Sequence, residues 1–305
     1  VRGGVGYGGG DFGVVGKDVY FTAADSRLYH VSIEGGRPKA LTPAFGGLAA
    51  PTPSPDGEWV VYVHTHQGED VLGMVSSKGG WPVKLVRGAD FYAQPEWHPD
   101  GDRLAWVAWD QPQMPWNGAR VELAKVGFGK GGPYTEEVQV LAGSAEIAAQ
   151  QPTFSPSGDK LAFLTDETGW LEIYIHDLET GETRKLSDAG CDHGHPLWIQ
   201  GMRTMRWAGD GESIYALRNV AGIFSLWSYP LDCFSVSEGV SDTLSLSEKY
   251  LLHPEVNRRA IISAARNELN KVTLPLLSDT MQAPHALLHI GWRPGLVEEE
   301  SSSTD

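Results

Sequence analysis

The chain is 305 residues long and carries a formal net charge of −15, from 24 basic and 39 acidic side chains. A surface this acidic repels phosphate backbones, and no basic patch with interleaved aromatics offsets it, so nucleic acid is excluded as an expected partner. Two cysteines, Cys191 and Cys233, are too few for a disulfide framework, and no run approaches the roughly 18 apolar residues of a membrane span.

The hydrophobic share of 41% is that of an ordinary folded domain, so a real core is expected. With 37 glycines, 19 prolines and 11 tryptophans, the chain favours turns and aromatic strands over long helices. A reducing, cytoplasmic compartment is the expectation, with the periplasm as the alternative if a leader preceded Val1. No membrane association is expected.

In chain order, the first predicted element is the strand–turn–strand "VVGKDVYFTA" around Gly16. The next is "SPDGEWVVYV" from Ser54, then "HPDGDRLAWVAW" from His98, "SPSGDKLAFLTD" from Ser155 and "AGDGESIYALRN" from Ala208. A degraded copy, "LHPEVNRRAIISAA", follows, with its His253 45 residues after Ala208. Beyond it only "HALLHIGW" hints at another strand.

Each unit has one plan. In residues 151–187 a short proline-bearing strand, "QPTFSP", ends in a Gly turn. "KLAFLTD" follows, then a bend, "LEIYIHDL", the turn "ETG" and a last strand, "TRKLS". Glycine accepts the positive φ of tight hairpins, and aspartate tolerates turn geometry. The second strand is almost wholly apolar, as expected for a strand covered on both faces. Proline cannot donate to a ladder, which suits the first strand to an innermost edge.

Four-stranded units at a period of about 40–50 residues are the signature of a β-propeller. A helical solenoid would need a 3.6-residue period, and a sandwich does not explain the repeating turn. The expected fold is all-β, a propeller of four-stranded blades with six visible repeats in a ring of six or seven. Clear blades are expected over residues 1–231 and degenerate final blades over 232–296. An acidic, serine-rich disordered tail is expected over 297–305.

The repeated Pro-x-x-Ser-Pro-Asp-Gly unit resembles the blade motif shared by Tol-system propellers and the propellers of prolyl-oligopeptidase-family serine peptidases. Three longer stretches favour the peptidases. "WVAWDQPQMPWNGARVELAKV" at 106–126 resembles a stretch of the acylaminoacyl-peptidase and dipeptidyl-aminopeptidase branch, from which Gln111, Gln113 and Asn117 depart. "TDETGWLEIYIHDLETGE" at 165–182 resembles that family's blade hairpin, and "YGGGDFGVVGKDVYF" at 7–21 its early-blade segment. The resemblance covers residues 6–231. It implies a propeller that caps an α/β-hydrolase domain and restricts large substrates. The hydrolase's Gly-x-Ser-x-Gly elbow does not occur in these 305 residues.

Candidate sites follow from the places where the repeat is interrupted. "CDHGHPLWIQGMRTMRW" at 191–207 is the densest polar and aromatic cluster. On a strand, His193 and His195 would share one side, and with Cys191 or Asp192 they could ligate zinc. The lack of a second ligand cluster makes a blade-entry loop with hydrogen-bonded histidines the simpler reading. The resemblance places this loop near the inner strands, so His193, His195 and Arg203 are candidates for facing substrate or partner. Arg203 would pair with a carboxylate, or else with a neighbouring blade.

In the insert "QMPWNG", Met114 and Trp116 are expected to reach over a cavity, to meet a partner, or to plug a blade. His64, His66, Glu69 and Asp70 read as a solvated strand end. Asp166 and Glu167 read as a solvated turn, and "VGFGKGGPYTEE" at 126–137 as a flexible connection. Gly4, Gly6 and Gly9 fit Gly-x-Gly-x-x-Gly without the helix that a dinucleotide site needs. No catalytic residue, metal or cofactor is expected. The expected partners are an α/β-hydrolase domain and peptide substrates. The alternative function is a stand-alone protein- or peptide-binding propeller of the Tol type.

Overall fold

The computed structural model describes residues 3–6 and 8–231. The final blades expected over 232–296, the tail over 297–305 and Cys233 lie outside the described residues. Within them the chain is all-β and forms five antiparallel sheets, each a blade built in chain order.

Blade 1 holds β1 (Phe12–Val15), β2 (Asp18–Thr22), β3 (Leu28–Ser32) and β4 (Gly35–Ala40). Blade 2 holds β5 (Gly47–Pro53), β6 (Trp59–His66), β7 (Glu69–Ser76) and β8 (Val83–Val86). Blade 3 holds β9 (Phe91–Trp97), β10 (Arg103–Trp109), β11 (Arg120–Gly129) and β12 (Gly132–Ala142). Blade 4 holds β13 (Ala149–Phe154), β14 (Lys160–Thr165), β15 (Glu172–Asp177) and β16 (Thr183–Lys185). Blade 5 holds β17 (Met205–Trp207), β18 (Ser213–Val220) and β19 (Ile223–Pro230). The first strands of successive blades lie against one another, which makes them the inner strands of the propeller.

The recurring turn folds the same way each time. Gly57 N–H donates to Ser54 O at 2.9 Å and Gly101 N–H to His98 O at 2.8 Å. Gly158 pairs with Ser155 O, and Gly211 with Ala208 O, at 3.0 Å each. These four glycines have φ between +72° and +78°, the left-handed region that closes such a hairpin.

A second device repeats in the inner strands and carries no obvious signal in the sequence. Ala50, Gln94 and Gln151 each precede a proline and have φ of +49°, +52° and +57°. The ladder register skips at all three places, so each is a β-bulge. Proline has no N–H to lose at the skipped position.

The second strands are buried on both faces, as in β10, where only Arg103 is not fully buried. Each hydrophobic cluster lies between two consecutive blades. Val61 and Leu72 of blade 2 pack with Leu104 and Trp106 of blade 3. Val107 and Leu123 of blade 3 pack with Leu161 and Phe163 of blade 4. Leu164 and Ile173 of blade 4 pack with Trp207 and Ile214 of blade 5. Each such side chain contributes about 1.5–3 kcal/mol on burial, so a blade is stable only against its neighbours.

Polar bonds reinforce these seams. Trp97 Nε1–H donates to Thr52 O of the preceding blade at 3.0 Å, and Trp207 Nε1–H donates to Thr153 O at 3.0 Å. Phe154 holds the same place in blade 4 and packs edge-on against His98 instead.

The segment at 126–137 is not a flexible connection. It is the end of a long hairpin, β11 with β12, paired out to Gly129 and Gly132. Its glycines serve packing: a Cβ on Gly127 would stand 2.6 Å from the Tyr134 ring, which lies across that backbone.

Candidate functional site

Strands alternate in direction, so two sets of loops gather at one end of the blades. These link second to third strands and fourth strands to the next first strand. The Pro-Asp-Gly turns lie at the other end. Among the described residues, the loops at this end expose Met114, Trp170, Trp198, Ile199, Val220 and Ile223 to solvent.

The insert at 110–119 is pinned at its base. Arg120 Nη1 donates to Asp110 Oδ2 at 2.9 Å, and the Asp90 and Gln111 amides bind Asp110 and Asp90 carboxylates at 3.0 and 2.9 Å. Met114 is thereby held outward at 37% exposure, with Trp116 half-buried beside it.

The long link at 186–204 does not follow the rim. His193 N–H donates to Leu171 O at 2.8 Å, and Asn219 N–H donates to Asp192 O at 2.8 Å, fixing its start on blades 4 and 5. It then runs along the inner strands. Gln150 Nε2 of blade 4 donates to His195 O at 2.7 Å, and Gln94 Nε2 of blade 3 to Met202 O at 2.7 Å. Gln200 Nε2 donates to Tyr92 O at 2.9 Å. Its backbone N–H donates to Gly8 O at 2.9 Å, beside a parallel bridge to Gly9. Gly10 O in turn accepts from Ala50 N–H of blade 2 at 2.7 Å. One segment therefore touches three blades and the N-terminal glycine run.

Beneath it the bulges are wired together. Gln94 Oε1 accepts from Gln151 N–H at 2.7 Å, and Gln151 Oε1 accepts from Thr204 N–H at 2.6 Å. These glutamines are fully buried, so each unmade bond would cost about 1–3 kcal/mol. They are the principal polar residues that the sequence reading missed.

His193 and His195 do not share a strand face, because this segment is not a strand. His193 is fully buried. Its Nδ1–H points to Leu171 O at 3.3 Å, and its Nε2 accepts from Tyr229 O–H at 2.5 Å. Burial, chiefly, lowers its pKa to about 4, so it is neutral at pH 7. Burial raises the Tyr229 pKa, which keeps that hydroxyl a donor. His195 is half-buried and packs on Phe224, with ring centroids 4.6 Å apart. Arg203 pairs with Glu96 at 3.3 Å, and Arg206 lies 3.9 Å from the same carboxylate. The partner blade is blade 3, two blades away rather than a neighbour.

Two further sequence expectations are corrected. His64 and Asp70 are buried rather than solvated. His64 packs on Phe45 at 4.6 Å, and Asp70 accepts the Thr65 hydroxyl. Only His66 and Glu69 reach solvent. Asp166 is no free turn residue either: its Oδ1 accepts from Ala148 N–H at 2.7 Å and ties the hairpin to its own blade. Among the described residues no three His, Cys, Asp or Glu side chains converge on a metal site. No helix there is long and apolar enough to cross a membrane.

No family model matches the chain. The curated protein "Uncharacterized peptidase YuxL" of Bacillus subtilis is 30% identical over 138 residues, covering 43% of this chain and 18% of that protein. "Protein TolB homolog" of Chlorobium luteolum is 24% identical over 177 residues, covering 56% of this chain and 36% of that one. Among solved structures, a Mycobacterium tuberculosis puromycin-hydrolyzing peptidase matches with a TM-score of 0.62 and 28% identity. That match covers 70% of this chain and 35% of the other. A puromycin hydrolase matches with 0.60 and 28%, over 69% and 34%. Oligogalacturonate lyase, at 16% identity and a TM-score of 0.52, shares the fold alone. The chain thus spans about a third or less of the peptidases it matches.

In class the protein is a β-propeller of four-stranded blades. Within that class it is similar to the propeller of prolyl-oligopeptidase-family serine peptidases, and it carries no Gly-x-Ser-x-Gly elbow.

Proposed function

We propose that this chain is the substrate-gating propeller of a prolyl-oligopeptidase-like serine peptidase. Hydrolysis would reside in an α/β-hydrolase domain, with peptides or aminoacyl amides as substrates and the cytoplasm as compartment. The observation that carries this is the 28% identity with a puromycin-hydrolyzing peptidase over 70% of this chain but only 35% of that one. The apolar loop end supports it, because exposed Trp198, Ile199 and Ile223 are costly unless a partner covers them. In this reading Met114, Trp116, His195 and Arg203 lie on the side facing substrate or hydrolase, and His193 supports them from within.

The test is to incubate the 305-residue chain with chromogenic acyl-amino-acid and dipeptide substrates. No turnover is expected. Turnover abolished by a serine-directed inhibitor would overturn the assignment of chemistry to another domain. The likeness to a TolB homolog favours a second reading, a stand-alone protein-binding propeller. The length of the native gene product separates the two. A Gly-x-Ser-x-Gly elbow in an alternating strand–helix region decides for the peptidase.

A further inference from the structure

Residues 194–202 are built differently from the blades they touch. The blades are held by ladders in which successive backbone bonds support one another. This segment is held sideways, chiefly by three glutamine side chains and by its backbone at Gln200. Each of those bonds can break without parting a blade. The segment buries Leu197 and Met202 in the cluster shared by blades 3 and 4, while Trp198 and Ile199 face solvent at 56% and 46% exposure. It bends at Gly201, whose φ of +77° only glycine adopts freely. Directly opposite lies Gly10, where a Cβ would meet both Gln200 and Ala50 at 2.9 Å, so the two backbones meet in bare contact.

From this arrangement we infer that residues 194–202 form a strap that closes the inner-strand end of the propeller and opens as a unit. Gln94 and Gln150 are its latches and Gly201 its hinge. Opening releases Leu197, Met202 and the bonds to Gln94, Gln150, Tyr92 and Gly8 while every blade ladder stays paired. The strap lies on the loop end and supplies the movable part of the gating proposed above; only that functional meaning rests on the earlier reading, since the motion itself does not require a hydrolase.

Native-state amide exchange on the full chain tests it. The Gln200 amide is expected to be protected, and to open with only a shallow urea dependence below the unfolding transition, because little surface is exposed. Amides of β6, β10 and β14 should exchange with a urea-dependent opening. Gln150→Ala and Leu197→Ala should each speed exchange across 195–202 by about tenfold or more, the effect of losing one buried bond or side chain, with the three strands unchanged. Exchange of the strap only together with the strands would overturn the inference, and so would a Gln200 amide with no protection. If either variant fails to fold, the urea series on the unaltered chain decides alone. The readout involves no hydrolysis, so its failure is distinct from failure of the peptidase reading.

Discussion

Gly57 and Gly158 occupy the same position of the same turn, yet their surroundings differ. Both have positive φ, +72° and +78°. A methyl on Gly57 would meet nothing closer than Val15 at 3.7 Å, whereas one on Gly158 would stand 2.5 Å from His98 Nε2. That ring bonds Gly158 O at 2.8 Å across the blade seam. Gly57→Ala should therefore cost about 1 kcal/mol, the left-handed penalty alone. Gly158→Ala should cost about 2–3 kcal/mol, because the penalty is joined by loss of the inter-blade bond. Urea unfolding of both, repeated in a His98→Ala background, checks this: the difference should vanish once the ring is gone. A turn residue that counts repeats in the sequence is thus also a seam residue, and the sequence alone does not say at which copy.

At the scale of the element, the blade was readable because its causes are local. A Gly turn, an apolar second strand and an early proline each act within a few residues, so all recur in register. The wiring between blades is not local. Gln94 and Gln151 bond across 57 residues, and Arg203 reaches Glu96 across 107, so no spacing in the sequence announces either. The β11–β12 hairpin was hidden for a different reason. Its glycines look like breakers, but Gly127 is the space into which Tyr134 folds.

The tryptophan seam offers a measurable case. In Trp97→Phe the ring should still fit, as Phe154 does in blade 4, but Thr52 O loses its donor. The urea midpoint should fall by an amount worth about 1–2 kcal/mol with the slope unchanged. A loss below about 0.5 kcal/mol, the usual scale of a neutral surface change, would show that the seam rests on packing alone.

For the whole molecule the acid limb of stability follows from its buried imidazoles. Burial lowers the pKa of His64, His176, His193 and His195 below 6.5, and His193 goes down to about 4. Between pH 4 and 6.5 the unfolded chain holds a proton at His193 that the folded chain does not. Stability must therefore rise with pH across that window, lie fully present above 6.5, and stop falling from this source below 4. Buried Asp70 and half-buried Asp166 have raised pKa values and act in the opposite sense from pH 3.8 upward, so the net curve alone cannot isolate the histidine.

A comparison of variants can. His193→Gln keeps an acceptor near Tyr229 and removes the titration. The stability difference between pH 6.5 and 4 should shrink by about 3 kcal/mol, the free energy of holding the imidazole's pKa down at about 4. Urea unfolding at intervals of half a pH unit measures it. An unchanged slope in the variant would mean that acid enters elsewhere in the propeller before it reaches the His193–Tyr229 pair.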